Sequence, residues 1–177
     1  FMADGYARVS GKPGVCLLIT GPGLTNAATA MAQAYADSIP MLVISSVNAL
    51  GKMNSGNGHL HELKNQQRLA EGLAAWSHTV FTPADLDQAL ARAFSLFESA
   101  RPRPVHIEIP TDIITRDVST HLAPKPARRP LRPAPRRESV SEATEWLSSA
   151  KRPLILAGAG AIDAAPTIRT LAEKLDA

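Results

Sequence analysis

A strand-like apolar run that stops abruptly at a Gly-Pro-Gly turn constrains the fold of this chain more than any other feature. The run Val15 to Ile19 ends at GPG, and a small-residue helical pattern follows over 24–37. This order predicts a strand, a tight turn and a helix, which is where α/β proteins usually hold ligands. The question for function is therefore what this turn contacts.

Strand and helix patterns alternate through the first two thirds of the chain. Helical spacing and strand-like runs each recur four times. The pattern predicts helices over 1–9, 24–37, 63–74 and 83–99, and strands over 14–20, 40–46, 77–81 and 105–110, the first two of them buried. Such alternation indicates an α/β fold, with a parallel sheet flanked by helices.

The predicted strand over 105–110 differs from the others in its composition. Val105, Ile107 and Ile109 share one face, while His106 and Glu108 share the other. This alternation predicts either an edge strand or a strand with one less apolar face.

A proline- and arginine-rich segment then interrupts the pattern. Between positions 118 and 137 lie six basic residues, five prolines and no acidic residue. We expect a stiff linker over 118–138, between part of a first domain at 1–117 and the beginning of a second domain at 139–177. A nucleic-acid contact is the alternative, but no aromatic side chain is interleaved with these charges.

The second domain is expected to restart the α/β pattern with a helix over 139–149, a strand over 153–157 and a helix over 165–176. The turn between them, Gly158-Ala159-Gly160, resembles part of a dinucleotide-binding turn. Asp163 stands where that motif requires its third glycine. Close packing of a strand against a helix therefore explains these glycines better.

Composition bounds the class of protein. Apolar residues make up 45% and charged residues 20% of the chain, which is typical of a globular domain. Cys16 is the only cysteine, so no disulfide framework forms within the chain and a cytoplasmic location is expected. No apolar run has membrane-spanning length. Because the chain begins at Phe1 and ends inside a helical pattern, we expect a fragment of a longer protein.

The Gly-Pro-Gly turn is a poor phosphate cradle. Such a cradle needs several free backbone N–H groups, and Pro22 has none. No Gly-Lys-Ser/Thr follows the turn, and Asn26 stands where a dinucleotide motif has its third glycine. The plain alternative is a turn in which Thr25 or Asn26 caps the following helix.

The segment His59 to Leu63 is a second candidate site. Two histidines at i and i+2 with a glutamate lack the i, i+4 spacing of a helical zinc pair, so no metal ligand is predicted. An active-site loop in which His61 and Glu62 face a polar substrate is one interpretation. A solvated surface loop is the other.

Several segments, in order and spacing, resemble the N-terminal pyrimidine-binding domain of thiamine diphosphate enzymes of the acetolactate synthase and 2-oxo acid decarboxylase group. They are FMADGYAR, GKPGV, TGPGLTN and AYADSIPML, followed by RPVHIEIP. PLILAGAG is similar to the first strand of the central domain of these enzymes. The resemblance covers nearly the whole chain.

This resemblance implies an enzyme built from three α/β domains that works as a homodimer or homotetramer. Thiamine diphosphate would lie between subunits, with its diphosphate and Mg²⁺ on a domain absent from this chain; FAD is open but unsupported. The cofactor carries out the carbon chemistry on a small 2-oxo acid, and the protein orients and tunes it. No nucleic acid or membrane partner is implied.

The resemblance also implies roles for individual residues. The family glutamate that activates the cofactor would fall just upstream of Phe1, so no catalytic residue is expected here. Gly21, Pro22, Gly23 and Asn26 match the loop beside the aminopyrimidine. The chain alone is therefore expected to lack turnover. With its first strands missing, it is also expected to be poorly soluble.

The substrate is indicated by the run Leu60-His61-Glu62, which stands where acetolactate synthases usually carry Phe-Gln-Glu. With Leu63 it is more similar to the 5-guanidino-2-oxopentanoate decarboxylase branch, whose substrate is the keto acid of arginine. A carboxylate such as Glu62 can pair with a guanidinium tail. An acetolactate synthase-like carboligase and a non-catalytic binding or assembly module are the alternatives.

Overall fold

In the computed structural model, residues 1–119 and 133–177 are described. The chain divides into two units, Phe1–Arg132 and Pro133–Ala177. Most of the predicted linker, 120–132, lies outside the described residues, so the predicted domain limits stay a prediction.

The first unit alternates helices and strands as expected. Its elements are α1 (Met2–Ser10), β1 (Gly14–Leu18), α2 (Pro22–Asp37), β2 (Met41–Val47), a 3₁₀ helix (Leu50–Lys52), α3 (Gln66–Glu71), β3 (Trp76–Thr79), α4 (Pro83–Ser99), β4 (Val105–Pro110) and α5 (Thr111–Ile114).

The four strands form one parallel sheet in the order β1-β2-β4-β3. Gly14 pairs with Met41, and Val105 pairs with Leu42 on one side and Trp76 on the other. The predicted parallel α/β fold is confirmed. The prediction of an edge position for the strand 105–110 is wrong, because β4 lies between two neighbours. The alternative, a strand with a less apolar face, is correct.

Two apolar clusters cover opposite faces of the sheet. One contains Leu24, Met31 and Val43, and the other contains Leu42 and Ile107. Because Leu42 and Val43 are successive residues of one strand, they point to opposite faces. β2 is therefore covered on both sides, which fits its almost continuous apolar run.

β1 is only half covered, and the prediction that it is buried is wrong. Cys16 and Leu18 pack against the first cluster, but Val15, Leu17 and Ile19 are 52%, 76% and 56% exposed. β1 lies at an edge of the sheet, and the described helices cover only one of its faces. An apolar run reports a tendency to be buried, not the presence of an element that buries it.

Helix α4 begins as its sequence predicts. The Thr82 hydroxyl accepts a hydrogen bond from the Asp85 N–H at 3.2 Å, and Pro83 occupies the first turn. Proline suits this position because the N–H it lacks would have had no partner within the helix. The cap fixes where the helix starts after β3.

The second unit contains α6 (Arg137–Ser149), a 3₁₀ helix (Ala159–Ala164) and α7 (Ala165–Leu175). α6 begins inside the segment predicted as a linker. The predicted strand over 153–157 is wrong: Leu154 and Leu156 are 80% and 87% exposed and unpaired. A strand needs a neighbour to satisfy its backbone, and the described part of this unit offers none.

Candidate functional site

The Gly-Pro-Gly turn joins the carboxyl end of β1 to the start of α2. Gly21 is the residue before the helix, with φ 64° and ψ −105°, and Pro22 opens the helix. The prediction that Thr25 or Asn26 caps the helix is wrong, since both lie within it. Pro22 is already in a helical conformation and therefore starts the helix earlier than the small-residue pattern indicates.

Only glycine fits at position 21. Its positive φ is rare for residues with a side chain. A Cβ at Gly21 would also collide with the main-chain carbonyl of His61. The structure thus brings together two segments that the sequence separates by forty residues, the glycine turn and the loop that ends at His61.

Two successive amides of the turn point inward to side-chain acceptors. The Thr20 N–H donates to Ser46 Oγ at 3.0 Å, and the Gly21 N–H donates to Gln66 Oε1 at 2.8 Å. Ser46 comes from the carboxyl end of β2 and Gln66 from the first turn of α3. The turn is therefore tied to the sheet and to α3.

Beneath the turn lies a buried polar network that the sequence indicated only through the polar face of β4. The Gln66 amide nitrogen lies 3.1 Å from Glu108 Oε2, and Glu108 Oε1 accepts from Thr79 Oγ1 at 2.7 Å. His106 Nε2 and Nδ1 lie 2.8 and 2.7 Å from the hydroxyls of Ser45 and Ser77. His106 and Glu108 are fully buried. Gln66 was missed because a glutamine in a helical pattern carries no signal of burial.

Burial shifts both titratable groups of this network toward their neutral forms. It lowers the pKa of His106 to about 4. It raises the pKa of Glu108, against the opposing effect of the hydrogen bonds from Thr79 and Gln66. Desolvation disfavours the charged form of either group. Burial therefore disfavours the charged form of both groups at the polar base of the site.

Glu62 is engaged by its own loop. Its carboxylate accepts hydrogen bonds from the Ser55 hydroxyl and from the N–H groups of Gly56, Gly58 and His59, at 2.8–3.0 Å. These bonds, with that from Gly56 the largest, hold the pKa of Glu62 below its usual value. The backbone of this loop is thus organised around one carboxylate. The role of Glu62 toward a substrate stays a prediction.

His61 is half-buried and has a positive φ of 58°. Its Nδ1 is buried and has no hydrogen-bond partner among the described residues. Buried polar atoms of folded proteins are almost always paired, so this nitrogen is suited to a ligand or water. Asn26, on the first turns of α2, is exposed. Its side-chain amide is open to solvent and offers a donor and an acceptor.

The remaining candidates do not form sites in the described residues. Neither Gly158 nor Gly160 has a positive φ, and a 3₁₀ helix follows Gly158 in place of a strand–turn–helix unit. Across 1–119 and 133–177, no three His, Cys, Asp or Glu side chains come together as metal ligands. No helix in those ranges is long and apolar enough to cross a membrane.

The parallel sheet with a glycine turn at its carboxyl edge is typical of α/β domains that hold a ligand at that edge. Residues 1–69 match the family of thiamine pyrophosphate enzymes, N-terminal TPP binding domain. This match covers 69 of the 177 residues, and the resemblance to thiamine diphosphate enzymes is confirmed.

Individual relatives extend the likeness to the whole chain. A probable 2-ketoarginine decarboxylase of Pseudomonas aeruginosa is 50% identical over 100% of this chain and 32% of its own length. The acetolactate synthase isozyme 1 large subunit of Escherichia coli is 35% identical over 98% of this chain and 30% of its own length. This chain thus spans about a third of the length of the curated relatives that it matches.

A solved structure agrees with the fold. It is the X-ray structure of a protein from Mycobacterium smegmatis assigned as a thiamin diphosphate-dependent enzyme. The match has a TM-score of 0.78 and 27% identity, and it covers 99% of this chain and 34% of that one. The α/β architecture predicted from the sequence is therefore also found in the matched part of this solved structure.

Proposed function

We propose that this chain is part of a thiamine diphosphate-dependent decarboxylase whose substrate is 2-ketoarginine, the compound also called 5-guanidino-2-oxopentanoate. One observation carries the choice of substrate. Identity to the probable 2-ketoarginine decarboxylase is 50% over the whole chain, against 33–36% for the acetolactate synthases. The His-Glu-Leu run at 61–63 supports the same choice.

The glycine turn is proposed to line the pyrimidine end of the cofactor. Gly21 and Gly23 keep the backbone free of side chains there, Pro22 stiffens it, and Asn26 offers an exposed amide. The buried Nδ1 of His61, which has no hydrogen-bond partner among the described residues, could also bind a polar group of a ligand. The described residues fit an uncharged heterocycle better than a phosphate, because Pro22 supplies no N–H.

When bound, thiamine diphosphate supplies the electron sink that lets a 2-oxo acid lose CO₂. The activating glutamate, the Mg²⁺ ligands and the residues that hold the diphosphate are proposed to lie outside this chain. A second subunit of a homodimer or homotetramer is proposed to complete the cofactor site. The contribution of this chain is then to position and shield one end of the cofactor.

The substrate proposal is tested by kinetics of the full-length protein. We expect kcat/KM for CO₂ release from 2-ketoarginine to exceed that for pyruvate by at least about tenfold, since a guanidinium tail matched by polar partners discriminates strongly. Acetolactate formation from pyruvate is measured alongside. A preference for pyruvate with acetolactate as product would replace the decarboxylase proposal with the carboligase.

The cofactor proposal is tested by Asn26→Ala, with Thr29→Ala on the next turn of α2 as the matched exposed control. We expect Asn26→Ala to raise the half-saturating thiamine diphosphate concentration by roughly fivefold, the effect of one hydrogen bond of about 1 kcal/mol. The Thr29 variant is expected to bind like the unmodified protein. Absence of thiamine diphosphate binding by the full-length protein would favour the non-catalytic module.

A further inference from the structure

We infer that Gln66, together with Ser46, is a positioning residue that holds the glycine turn in the position that cofactor binding needs. Neither residue was assigned a role by the sequence pattern. The inference rests on the proposed function, because it gives Gln66 importance only if the turn lines the cofactor pocket.

The first argument is hydrogen-bond satisfaction. Thr20 and Gly21 are buried, and their N–H groups precede the helix, so neither can donate within it. Each amide has one acceptor in the structure, Ser46 Oγ for Thr20 and Gln66 Oε1 for Gly21. Leaving a buried N–H unpaired is unfavourable. The two side chains therefore define the stable position of the turn.

The second argument is that the Gln66 amide has only one workable orientation. Its oxygen accepts from the Gly21 N–H, and its nitrogen lies 2.9 Å from the Ser46 carbonyl oxygen. An N–H can only donate and a carbonyl can only accept, so turning the amide over would break both contacts. Glu108 Oε2, at 3.1 Å from the same nitrogen, adds a further acceptor. Gln66 thus joins β4, β2 and the turn rigidly.

The neighbouring glutamine provides a matched control. Gln67 Nε2 donates to the Ser77 carbonyl at 3.2 Å, and Gln67 Oε1 lies 3.3 Å from Thr79 Oγ1. It therefore belongs to the same polar network, on the same helix, but its bonds go to β3 and not to the turn. Loss of either glutamine should weaken packing of α3, whereas only Gln66 reaches the turn.

The experiment compares Gln66→Met with Gln67→Met in the full-length protein. Methionine keeps the length and volume of glutamine and removes its hydrogen bonds. We expect both variants to lower the melting temperature. We expect only Gln66→Met to raise the half-saturating thiamine diphosphate concentration, by about tenfold, which corresponds to about 1.4 kcal/mol. Its kcat at saturating cofactor should stay within about twofold, because no reacting group is removed.

Equal cofactor requirements in the two variants would overturn the inference. If Gln66→Met does not yield folded protein, Ser46→Ala takes its place, since it removes the acceptor of the Thr20 N–H and keeps a small side chain. A rise of about threefold in half-saturating cofactor is then expected, and an unchanged value overturns the inference. Failure of the unmodified protein to bind thiamine diphosphate by calorimetry would instead remove the proposed function and the inference with it.

Discussion

The chain contains two segments of nearly the same design, an apolar run followed by Gly-x-Gly and a helix, and only one of them forms a strand–turn–helix unit. At Gly21 the strand is paired, the helix is packed and the glycine is confined by a neighbouring carbonyl. At Gly158 the run is unpaired, and a Cβ at that position would meet no atom within 4 Å.

The difference shows that such a motif forms a strand–turn–helix unit only where a neighbouring strand and side-chain acceptors bind its backbone. β1 has β2 as a neighbour, and its turn has Ser46 and Gln66 as acceptors. The residues over 153–157 have no paired strand within the described part of their unit. Glycine permits a conformation, but tertiary contacts select it.

Alanine substitutions at the two turns should give the largest difference in the free energy of unfolding. Gly21→Ala is expected to cost roughly 4 kcal/mol, the sum of backbone strain at positive φ and displacement of the His61 carbonyl. Gly160→Ala, with open space around it, should change stability by no more than about 0.5 kcal/mol. Urea denaturation of the 177-residue chain at low concentration measures both. Equal losses would mean that the second turn is packed as tightly as the first.

The next largest difference in stability is expected for substitutions in the helices that follow the two turns. Leu24 is fully buried, whereas Ile162 is 70% exposed. Leu24→Ala is expected to destabilise the chain by about 3 kcal/mol, through lost burial and the cavity left behind. Ile162→Ala should have an effect within about 0.5 kcal/mol. A shared denaturation midpoint for the two variants would contradict this difference in burial between Leu24 and Ile162.

Acid should weaken the first unit selectively, because His106 lies in the network beneath its turn. The pKa of His106 is about 4 in the folded chain, against about 6.5 when unfolded. The unfolded chain therefore binds the extra proton as pH falls from 6.5 to 4, and stability is lost over that window. The full loss is about 3 kcal/mol, since each pKa unit corresponds to about 1.4 kcal/mol.

His106→Gln isolates this effect, since it removes the titrating ring and keeps hydrogen-bonding groups. Glu108 acts in the opposite direction: its raised pKa costs stability as pH increases above the ordinary carboxyl value. Its contribution is common to both proteins, so the difference between their pH–stability curves reports His106. Parallel curves between pH 4 and 6.5 would show that burial of His106 does not control acid sensitivity.

Periodicity predicted most of the first unit, because each run had a partner to pack against. Helix α4 shows this best, with Thr82, Pro83 and Asp85 giving a local start signal and one apolar face. The half-exposure of β1 and the absence of a strand over 153–157 were not predictable, since an apolar pattern does not say whether a covering element is present.

The candidate site was predictable in part. The turn itself was visible in Gly21, Pro22 and Gly23, and the polar face of β4 was visible in its alternation. The link through Gln66 depends on where α3 lies over the sheet, which no local pattern encodes. The engagement of Glu62 by its own loop likewise depends on a backbone with three positive-φ residues between 54 and 58.

The exposed apolar side chains Val15 and Leu17 on the edge strand β1, with Ile19 just after it, affect how the chain behaves in solution. Two such edges can pair through backbone groups left free by β1 and cover these side chains of both copies at once. That encounter is bimolecular, whereas folding is unimolecular and independent of concentration. Dilution should therefore favour the folded monomer. The early decrease in monomer concentration through edge pairing should follow second-order kinetics.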